Sequence, residues 1–429
     1  MVEIAKIFSI GMPVFLVLIL AEKLYGYLKG NDTVPWMDAL TSSYSGITLI
    51  VRSLFGLGIS IISYEFMYNH LAIFHIETTW LVYVVTFVVL DFEFYWGHRL
   101  HHQINLLWNN HLIHHNSEEY NIATSMRQPF TGFINFLFFL SIPAAILGLS
   151  PIVIAFIFPI HKFSQVWYHT RQIGKLGFLE HIIVTPSQHR VHHALNPIYL
   201  DKNFSAIFNI WDKLFGTFQK ELESEPPIYG ITRPSKTWNP ITINFEHLSL
   251  IIKDAWRSEK WMDKLTIWFR PLGWRPEGFE EKYPVKKIID HYNIEKFNPQ
   301  ISKGLFLWSN IQFFTLFFVL IYLLQDISQL GITRLYIFVA FIFVQVYSAT
   351  ELMNRNKWAP LYAAISTFVC FGIYMFDTTF FGIDKLSNLL PIAFLVYFIL
   401  QTLFAFVFSQ SVLKNNFATV NGFNAQSNS

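Results

Sequence analysis

Long apolar segments separated by polar stretches constrain the fold of this 429-residue chain more than any other feature. A helix needs roughly 20 mostly apolar residues to cross about 30 Å of hydrocarbon. Segments that approach or reach that length lie at 8–24, 46–62, 80–96, 305–324, 335–347, 358–376 and 389–412, and a longer one lies at 130–160. Charged residues make up only 14% of the chain, whereas soluble domains contain about a quarter. The sequence therefore predicts an all-α polytopic membrane protein.

The number of spans depends on two of these segments. Arg52 interrupts the second segment, and Pro143, Gly148 and Pro151 interrupt the one at 130–160. Because proline and glycine bend or end helices, the latter suits a bent hairpin or two short spans better than one straight helix. The first segment lacks the basic flank and cleavage site of a signal peptide, so we interpret it as an anchor. We expect about eight or nine transmembrane helices.

Two polar stretches, 97–129 and 161–303, are predicted to lie outside the membrane. The second holds 20 of the 31 Lys and Arg residues, and basic residues concentrate on the cytoplasmic side of membrane proteins. We therefore expect both stretches to form a helical cap that faces the cytosol. The net charge of +2 gives no reason to expect nucleic acid as a partner. The single cysteine, Cys370, lies in an apolar segment, which argues against Cys-based catalysis.

Histidine is concentrated in one part of the chain. Twelve of the 16 His residues fall between positions 98 and 193. Helical residues three or four apart share a face, so closely spaced imidazoles can converge on one ion. Three clusters have such spacing: His98-Arg-Leu-His101-His102, His111-Leu-Ile-His114-His115 and His189-Arg-Val-His192-His193. Between the second and third clusters lie His161, His169 and His181.

The three clusters contain more imidazoles than one ion can bind. A zinc site takes four ligands, or three and a water, whereas two ions with four or five ligands each would use all three clusters. Imidazole binds Zn, Cu, Fe and Ni, so the ligand type alone does not choose the metal. A redox-inert zinc hydrolase is one alternative. His-rich clusters beside a membrane favour iron that uses dioxygen against apolar chains.

Other interpretations of the histidines do not require an enzyme. Isolated His residues are usually interfacial anchors or hydrogen-bonded core residues, and we interpret His70, His75, His247 and His291 in that way. A cluster can also act as a pH sensor or belong to a metal-handling membrane protein. Metal transport needs polar residues inside several spans, and we expect the C-terminal spans to contain almost none.

The spacing of the clusters resembles the signature of the fatty acid hydroxylase / sterol desaturase superfamily of membrane di-iron enzymes. That signature reads H-x3-4-H, H-x2-3-H-H and H-x2-3-H-H, and the core match covers about 80–218. Further strings and the extra C-terminal spans resemble the alkylglycerol monooxygenase subfamily, including its bacterial members, over most of the chain. The strings lie at 107–121, 125–128, 167–180, 185–197, 201–204 (DKNF), 211–218 and 270–279.

The resemblance implies a monooxygenase in which two iron ions use dioxygen and two electrons to hydroxylate a C–H bond of a lipid. In the subfamily that carbon lies beside the ether oxygen of an alkylglycerol, and tetrahydrobiopterin is the reductant. Zinc can replace iron in such sites during preparation. The iron ligands that it implies are His98, His102, His111, His114, His115, His189, His192 and His193, with His169 as the ninth.

Four further residues are candidates for supporting roles near the metals. His101 and His181 are either ligands or neighbours of ligands. A metal-bound imidazole normally donates its other ring N–H to a carboxylate or carbonyl, so Asp91 and Glu118 are candidates for accepting such bonds. For Asp91, an ordinary polar residue near a helix end is an equal alternative.

Two positions depart from the subfamily pattern. Gln103 stands where the subfamily usually has Glu after the first cluster, and Gln188 stands where it usually has His before the third. Gln103 is our candidate for cofactor binding. Its missing charge leaves open a sterol, carotenoid or fatty acid hydroxylase or desaturase that takes electrons from ferredoxin or cytochrome b5. The frequent Asn, Ile and Lys favour a bacterial inner membrane over the endoplasmic reticulum.

These observations divide the chain into five regions. We expect N-terminal spans at 1–79, the catalytic domain at 80–220, an amphipathic region at 221–303, C-terminal spans at 304–413 and a disordered tail at 414–429. In the amphipathic region, Trp alternates with Lys and Arg between positions 245 and 274. Such a stretch suits a helix at the level of the lipid headgroups. There it forms a wall of the substrate entry, or it simply packs on the catalytic domain.

Overall fold

The computed structural model describes residues 2–54, 59–60, 62–74, 76–132, 134–135 and 137–426, so His75 and residues 427–429 of the tail lie outside it. The described chain is mostly helical. Its α-helices are Val2–Leu28 (α1), Trp36–Leu54 (α2), Tyr64–Leu71 (α3), Trp80–Gln103 (α4), Asn105–Trp108 (α5), Leu112–His115 (α6), Ile142–Ile146 (α7), Pro151–Phe163 (α8), Pro186–His192 (α9), Ile210–Leu214 (α10), Pro240–Arg257 (α11), Trp261–Thr266 (α12), Phe279–Lys282 (α13), Lys303–Gln325 (α14), Gly331–Met353 (α15), Ala359–Phe376 (α16) and Leu390–Gln426 (α17).

Short elements complete the secondary structure. The 3₁₀-helices are Ile122–Met126, Leu137–Ser141, Gly177–His181, Ile327–Gln329 and Ile383–Lys385. Two parallel strands of two residues each, Ile59–Ser60 (β1) and Ile134–Asn135 (β2), pair with Ile59 opposite Ile134. This ribbon is a minor departure from the all-α architecture that the sequence predicts.

Six helices in the described parts of the chain are long and apolar enough to cross a membrane. They agree with the predicted anchor, with the segment at 80–96 and with the four C-terminal segments. The total is lower than the eight or nine spans expected, because the segments at 46–62 and 130–160 do not form long apolar helices. The six are Ala5–Leu28, Trp80–Gln103, Lys303–Gln325, Gly331–Met353, Ala359–Phe376 and Leu390–Gln410.

The segment expected at 46–62 belongs to α2, which begins at Trp36 and ends at Leu54. Nearly all of α2 is buried, including its polar first half. There Thr41, Ser42 and Ser43 each donate a side-chain hydrogen bond to the carbonyl four residues earlier, at 2.8–3.0 Å. Hydroxyls satisfied in this way can be buried in a helix. Hydropathy detected only the apolar second half; residues 55–58 and 61 lie outside the described chain.

The segment at 130–160 is broken into short pieces, as its prolines and glycine suggest. The described residues form a 3₁₀-helix, then α7 and α8, and α8 packs against α4. Gly148 separates α7 from α8 with φ +74°, and a Cβ there would lie 1.8 Å from the carbonyl oxygen of Phe74. Only glycine fits this close approach of two backbones.

The C-terminal helices pack on α1 and α2 around the largest apolar core of the described residues. They also bury polar side chains, so the expectation of almost none was wrong. Gln345 Nε2 donates to Ser366 Oγ at 2.6 Å, and Gln401 Nε2 lies 3.2 Å from both Ser348 Oγ and Ser366 Oγ. Glutamine and serine add no charge, and the surrounding apolar residues dominate the hydropathy of these segments. The segments therefore seemed almost free of polar residues.

The polar stretches form a cap at one end of the helices. Arg127 makes an ion pair of 2.6 Å with Asp38 at the start of α2. Asn239, at the start of α11, donates a hydrogen bond of 2.7 Å to Glu351 near the end of α15. The last turns of α4 reach the same end of the bundle, and these turns carry the first His cluster.

Candidate metal centre

Three helix ends carry the His clusters. His98 and His102 lie one turn apart at the end of α4, which stops at Gln103. The second cluster forms the single turn of α6 and its N-cap, His111. The third lies on α9, which starts with Pro186 at a first-turn position where proline needs no N–H partner. Residues three or four apart lie close together on such helices, and the three helix ends bring their imidazoles within reach of one another.

The structure brings nine imidazoles together in two groups. In each group every residue offers a ring nitrogen that lies within 4.8 Å of those of the other members. The five-His group consists of His98, His102, His111, His115 and His192, and the four-His group consists of His114, His169, His189 and His193. These nine residues are the same nine that are predicted from the sequence as ligands.

Backbone carbonyls determine where the protons of the five-His group lie. His98 Nδ1 is 2.8 Å from the carbonyl oxygen of Phe204, and His192 Nδ1 is 2.9 Å from that of Lys202. A carbonyl oxygen can only accept, so each Nδ1 carries the proton and each Nε2 presents a lone pair. His192 Nε2 and His102 Nε2 are buried without a hydrogen-bond partner among the described residues. Unpartnered lone pairs in a buried site fit a bound cation.

The four-His group has the same arrangement. His169 Nδ1 donates to the carbonyl oxygen of Gln165 at 3.0 Å, and His114 Nδ1 donates to that of Arg127 at 3.3 Å. Their Nε2 atoms therefore both carry lone pairs, although they lie only 3.4 Å apart. Two facing lone pairs repel each other unless a cation lies between them. The donor set thus fits a metal ion in this group as well.

Burial keeps these imidazoles neutral. It lowers the pKa of His111, His115 and His192 well below the ordinary value of 6.5, with neighbouring imidazoles lowering it further. In the four-His group, burial lowers the pKa of His169 to about 4. Neutral imidazole is the form that binds metal. The site is therefore in the ligand form at neutral pH.

The two groups touch each other. The rings of His115 and His193, one from each group, stack with centroids 4.4 Å apart. The centroids of His111 and His114, again one from each group, are 5.2 Å apart. Consecutive residues of α6, His114 and His115, face different groups. Two ions held by these groups would be close neighbours.

Two candidate histidines remain outside both groups. His101 is directed back along α4, where its Nδ1 lies 2.6 Å from the carbonyl oxygen of Gly97. His181 ends a 3₁₀-helix and is exposed. His161, to which the sequence pattern assigned no role, is fully buried and forms a 2.9 Å ion pair or hydrogen bond with Asp91.

The two candidate carboxylates contact no member of either group. Asp91 Oδ1 and Oδ2 accept hydrogen bonds from the backbone N–H groups of Ile207 and Phe208, and Oδ2 accepts one from Trp211 Nε1. Asp91 thus ties the loop that follows the third cluster to α4. Glu118 instead pairs with Lys236 at 3.1 Å.

The carboxylate that does approach a grouped imidazole is Asp201, which was not predicted from the sequence. Asp201 Oδ1 lies 3.6 Å from His102 Nδ1. Asp201 has φ +57°, a left-handed conformation that Asp tolerates better than most residues. It begins the DKNF string, whose Lys202 and Phe204 supply the carbonyls for His192 and His98. The DKNF string was therefore the sequence feature that could have indicated a role for Asp201.

The two glutamines that depart from the subfamily pattern have different surroundings. Gln103 is exposed at the end of α4, and its carbonyl oxygen accepts a hydrogen bond from Leu272 N at 2.9 Å. Gln188 is buried, and its Nε2 donates to the carbonyl oxygen of Glu180 at 2.7 Å. Gln188 therefore supports the packing of α9, whereas the Gln103 side chain is accessible.

Comparison with known proteins agrees with this geometry. A family model described as fatty acid hydroxylase matches residues 83–217, which carry all three clusters. Alkylglycerol monooxygenase of Homo sapiens is 32% identical over 392 residues, which cover 89% of this chain and 85% of that protein. The chain belongs to the fatty acid hydroxylase family, in its alkylglycerol monooxygenase branch. It is therefore an oxygen-using monooxygenase of the membrane that acts on lipids.

Two further relatives show the range of the family. Alkylglycerol monooxygenase of Danio rerio is 32% identical over 361 residues, covering 83% of this chain and 79% of that protein. Ornithine lipid hydroxylase OlsE of Rhizobium tropici is 29% identical over 149 residues, covering 35% of this chain and 45% of that protein. No solved structure matches the chain.

Proposed function

We propose that this protein is a di-iron monooxygenase that oxidises the carbon beside the ether oxygen of an O-alkyl glycerol lipid. The observation that carries the proposal is the pair of adjacent His groups, with five and four neutral imidazoles. Such a set exceeds the needs of one ion and leaves at least two Nε2 lone pairs without a protein partner among the described residues. The similarity to alkylglycerol monooxygenases over most of the chain supports the choice of substrate.

The residues of the chain have distinct roles in this proposal. The nine grouped His residues are the iron ligands, and iron, when bound, supplies the activation of dioxygen and the oxidation of the C–H bond. The carbonyls of Phe204, Lys202 and Gln165 fix the orientation of three ligands by accepting their Nδ1 protons. Burial of both groups excludes water, which protects the reaction from unproductive side reactions.

The proposed reaction balances with one dioxygen, two electrons and two protons. One oxygen atom enters the C–H bond and the other leaves as water. The hydroxylated carbon then carries both a hydroxyl and the ether oxygen, so the product is a hemiacetal. Breaking its C–O bond gives a fatty aldehyde and a glycerol derivative.

Two electron donors compete in this proposal. Tetrahydrobiopterin follows from the resemblance to the subfamily. A ferredoxin or cytochrome b5 follows from the exposed, uncharged Gln103, because an amide cannot exchange a proton with a bound pterin at neutral pH. With the second donor, a sterol, carotenoid or fatty acid hydroxylase or desaturase is the alternative function.

An exposed aromatic patch supports a lipid entry beside the His groups. On α11 and α12, Trp256 is 85% exposed and Trp261 is 74% exposed, with Lys260 and Lys264 close in the chain. Two backbone hydrogen bonds of 2.9 Å join the residues after α12 to those just after α4. They run from Asn105 N to Arg270 O and from Leu106 N to Trp268 O. Exposed Trp with Lys suits the headgroup level of a bilayer. We place this face and the His groups on the cytosolic side of a bacterial inner membrane.

The test is product formation by the purified protein in nanodiscs with iron, dioxygen and each donor in turn. We expect a fatty aldehyde from an alkylglycerol, and two metal ions per chain by elemental analysis. His114→Ala and His192→Ala each remove a ligand from a different group and should abolish turnover while the protein stays in the membrane. His181→Ala is the matched control, since His181 lies outside both groups, and it should keep its activity.

Three results would contradict the proposal. One metal ion per chain would show that the two groups do not form two sites. Normal turnover by His114→Ala or His192→Ala would show that those residues are not ligands. Hydroxylation of sterols or fatty acids, but not of alkylglycerols, with a redox protein as donor would favour the alternative function.

A further inference from the structure

A second site lies beside the metal centre, where the cap meets the helices α2 and α14. It is a cavity of about 240 Å³. Its walls come from the start of α2, from the residues that follow the second His cluster, and from two cap segments at 235–238 and 296–298. Phe306, in the first turn of α14, also lines the cavity and is 41% exposed. The cavity thus lies between the cap and the starts of these two helices.

The charged groups in the walls neutralise each other. Three cations and three carboxylates line the cavity. Each carboxylate already has a cationic partner, so a charged ligand would have to compete with an existing ion pair. The pairs are Arg127–Asp38 at 2.6 Å, Lys236–Glu118 at 3.1 Å and Lys296–Glu119 at 2.6 Å. This lining favours an uncharged ligand.

The remaining lining suits a ligand with hydroxyls on an apolar body. Asn116 is 9% exposed, and its Oδ1 accepts a hydrogen bond of 2.7 Å from Ser235 Oγ. In the described part of the chain, Asn116 Nδ2 has no acceptor and can donate to a ligand oxygen. Trp36 and Trp238 add aromatic faces to the walls. An uncharged amphiphile satisfies both kinds of surface.

Two residues connect the cavity to the metal centre. Asn116 directly follows His115 of the five-His group. Arg127 lines the cavity with its side chain, and its carbonyl oxygen accepts the Nδ1 proton of His114 in the four-His group. Lys236, on the opposite wall, has φ +47°, a strained conformation for a residue other than glycine. Such strain tends to occur at ligand sites.

We propose that this cavity binds the uncharged, hydroxyl-bearing polar end of the lipid whose chain is oxidised at the His groups, and that it disfavours lipids with a phosphate there. This inference rests on the proposed function, because it names the part of the substrate that the cavity selects. The three ion pairs are the selective element, since each cation among the described residues of the walls already has a carboxylate partner.

The charge balance of the cavity gives a direct test. Glu118→Gln leaves Lys236 without its carboxylate but keeps an oxygen that can accept the hydrogen bond from Phe297 N. The variant should raise the kcat/KM for a phosphate-bearing ether lipid, relative to an uncharged alkylglycerol, by about tenfold, as expected for one added charge near the protein surface. Lys236→Met should change this ratio in the opposite direction.

The control removes a carboxylate of the same type that does not line the cavity. Glu223 pairs with Lys175 at 3.4 Å, and both side chains are exposed. Glu223→Gln changes the net charge as Glu118→Gln does, and it should leave the substrate ratio unchanged. Equal effects of the two variants, no change in Glu118→Gln, or a wild type that prefers the phosphate-bearing lipid would overturn the proposal.

A binding experiment separates this inference from the proposed function. An alkylglycerol with a photoreactive group on its polar end is cross-linked to the protein in nanodiscs, and the labelled peptides are mapped. Labels on residues 35–38, 116–119 or 235–238 support the cavity as a binding site even if no aldehyde forms. The absence of aldehyde would then count only against the ether-cleavage reaction. Labels confined to other segments overturn the cavity proposal even if the protein cleaves ether lipids.

Discussion

Replacing Asp212 with Asn tests whether the loop that follows the third cluster controls metal binding. Asp212 is 1% exposed, and among the described residues its side chain makes hydrogen bonds to groups other than imidazoles. Its carboxylate accepts hydrogen bonds from Phe204 N at 2.8 Å, Ser205 N at 2.9 Å and Thr217 Oγ1 at 2.7 Å. Through Phe204, whose carbonyl fixes His98, it positions one ligand of the five-His group. Asp212 is therefore a positioning residue.

The size of the effect follows from those hydrogen bonds. In Asn, one acceptor oxygen becomes an NH₂ group, which then faces a backbone N–H. A buried donor left without an acceptor costs about 1–3 kcal/mol. If this cost is relieved by moving residues 204 and 205, His98 loses its fixed orientation. Loss of an orienting partner typically weakens metal binding by about 10- to 100-fold, which lies within that energy range.

The assay follows metal release from the purified protein as the concentration of a chelator is raised. We expect Asp212→Asn to lose one metal ion at about 10- to 100-fold less chelator than the wild type, with the ion of the four-His group retained. The matched control is Asp254→Asn. Asp254 is also 1% exposed but holds Arg275, at 2.6 and 2.9 Å, instead of a ligand loop. Equal metal loss in both variants, or none in Asp212→Asn, would refute the reasoning.

Three further perturbations have defined outcomes. His247 Nε2 donates a hydrogen bond to Asn105, and its Nδ1 faces Arg233. Burial, and to a smaller extent the positive charge of Arg233, lowers the pKa of His247 to about 3. The unfolded chain takes up this proton near pH 6.5, so the contribution of His247 to the free energy of unfolding should fall by about 1.4 kcal/mol per pH unit below that value. The pH dependence of thermal unfolding should be shallower by that amount in His247→Gln. Gly148→Ala should lower the free energy of unfolding by at least the roughly 1–2 kcal/mol that a left-handed residue costs, measured as a lower unfolding temperature. Gly174→Ala, with nothing within 4 Å of its Cβ, should leave that temperature unchanged. Gln103→Glu should raise aldehyde formation with tetrahydrobiopterin; strong pterin-driven turnover by the wild type without any gain from Glu would show that this position is neutral.

The sequence indicated which His residues lie together better than it indicated the helices around them. Spacing indicated eight of the nine His residues, because residues three or four apart are neighbours on a helix, and the resemblance indicated His169. They did not indicate the partners of those residues. Most of these partners are backbone carbonyls, such as those of Phe204 and Lys202. Because every residue has a carbonyl, the sequence does not show which one accepts a given hydrogen bond. Asp201 was missed because its approach to His102 depends on the course of an irregular loop.

The helices were predicted where apolar character is continuous and missed where it is not. The anchor and the four C-terminal spans are long apolar runs, and they agree with the structure. Helix α2 is buried despite its Ser and Thr residues, because their hydroxyls bond within the helix. Hydropathy counts Ser and Thr as polar, so the predicted segment begins at residue 46, whereas α2 begins at Trp36.

The contacts of Asp91 have a consequence for how a substrate reaches the metal centre. This carboxylate, inside α4 and fully buried, binds His161 of α8, two backbone N–H groups of the loop after the third cluster and the indole of Trp211. A buried carboxylate that loses all of its hydrogen-bonding partners destabilises a protein by several kcal/mol, so the loop after the third cluster should stay bound to α4. We therefore expect a lipid to reach the metal centre without separation of this loop from α4, from the side of the exposed aromatic patch on α11 and α12.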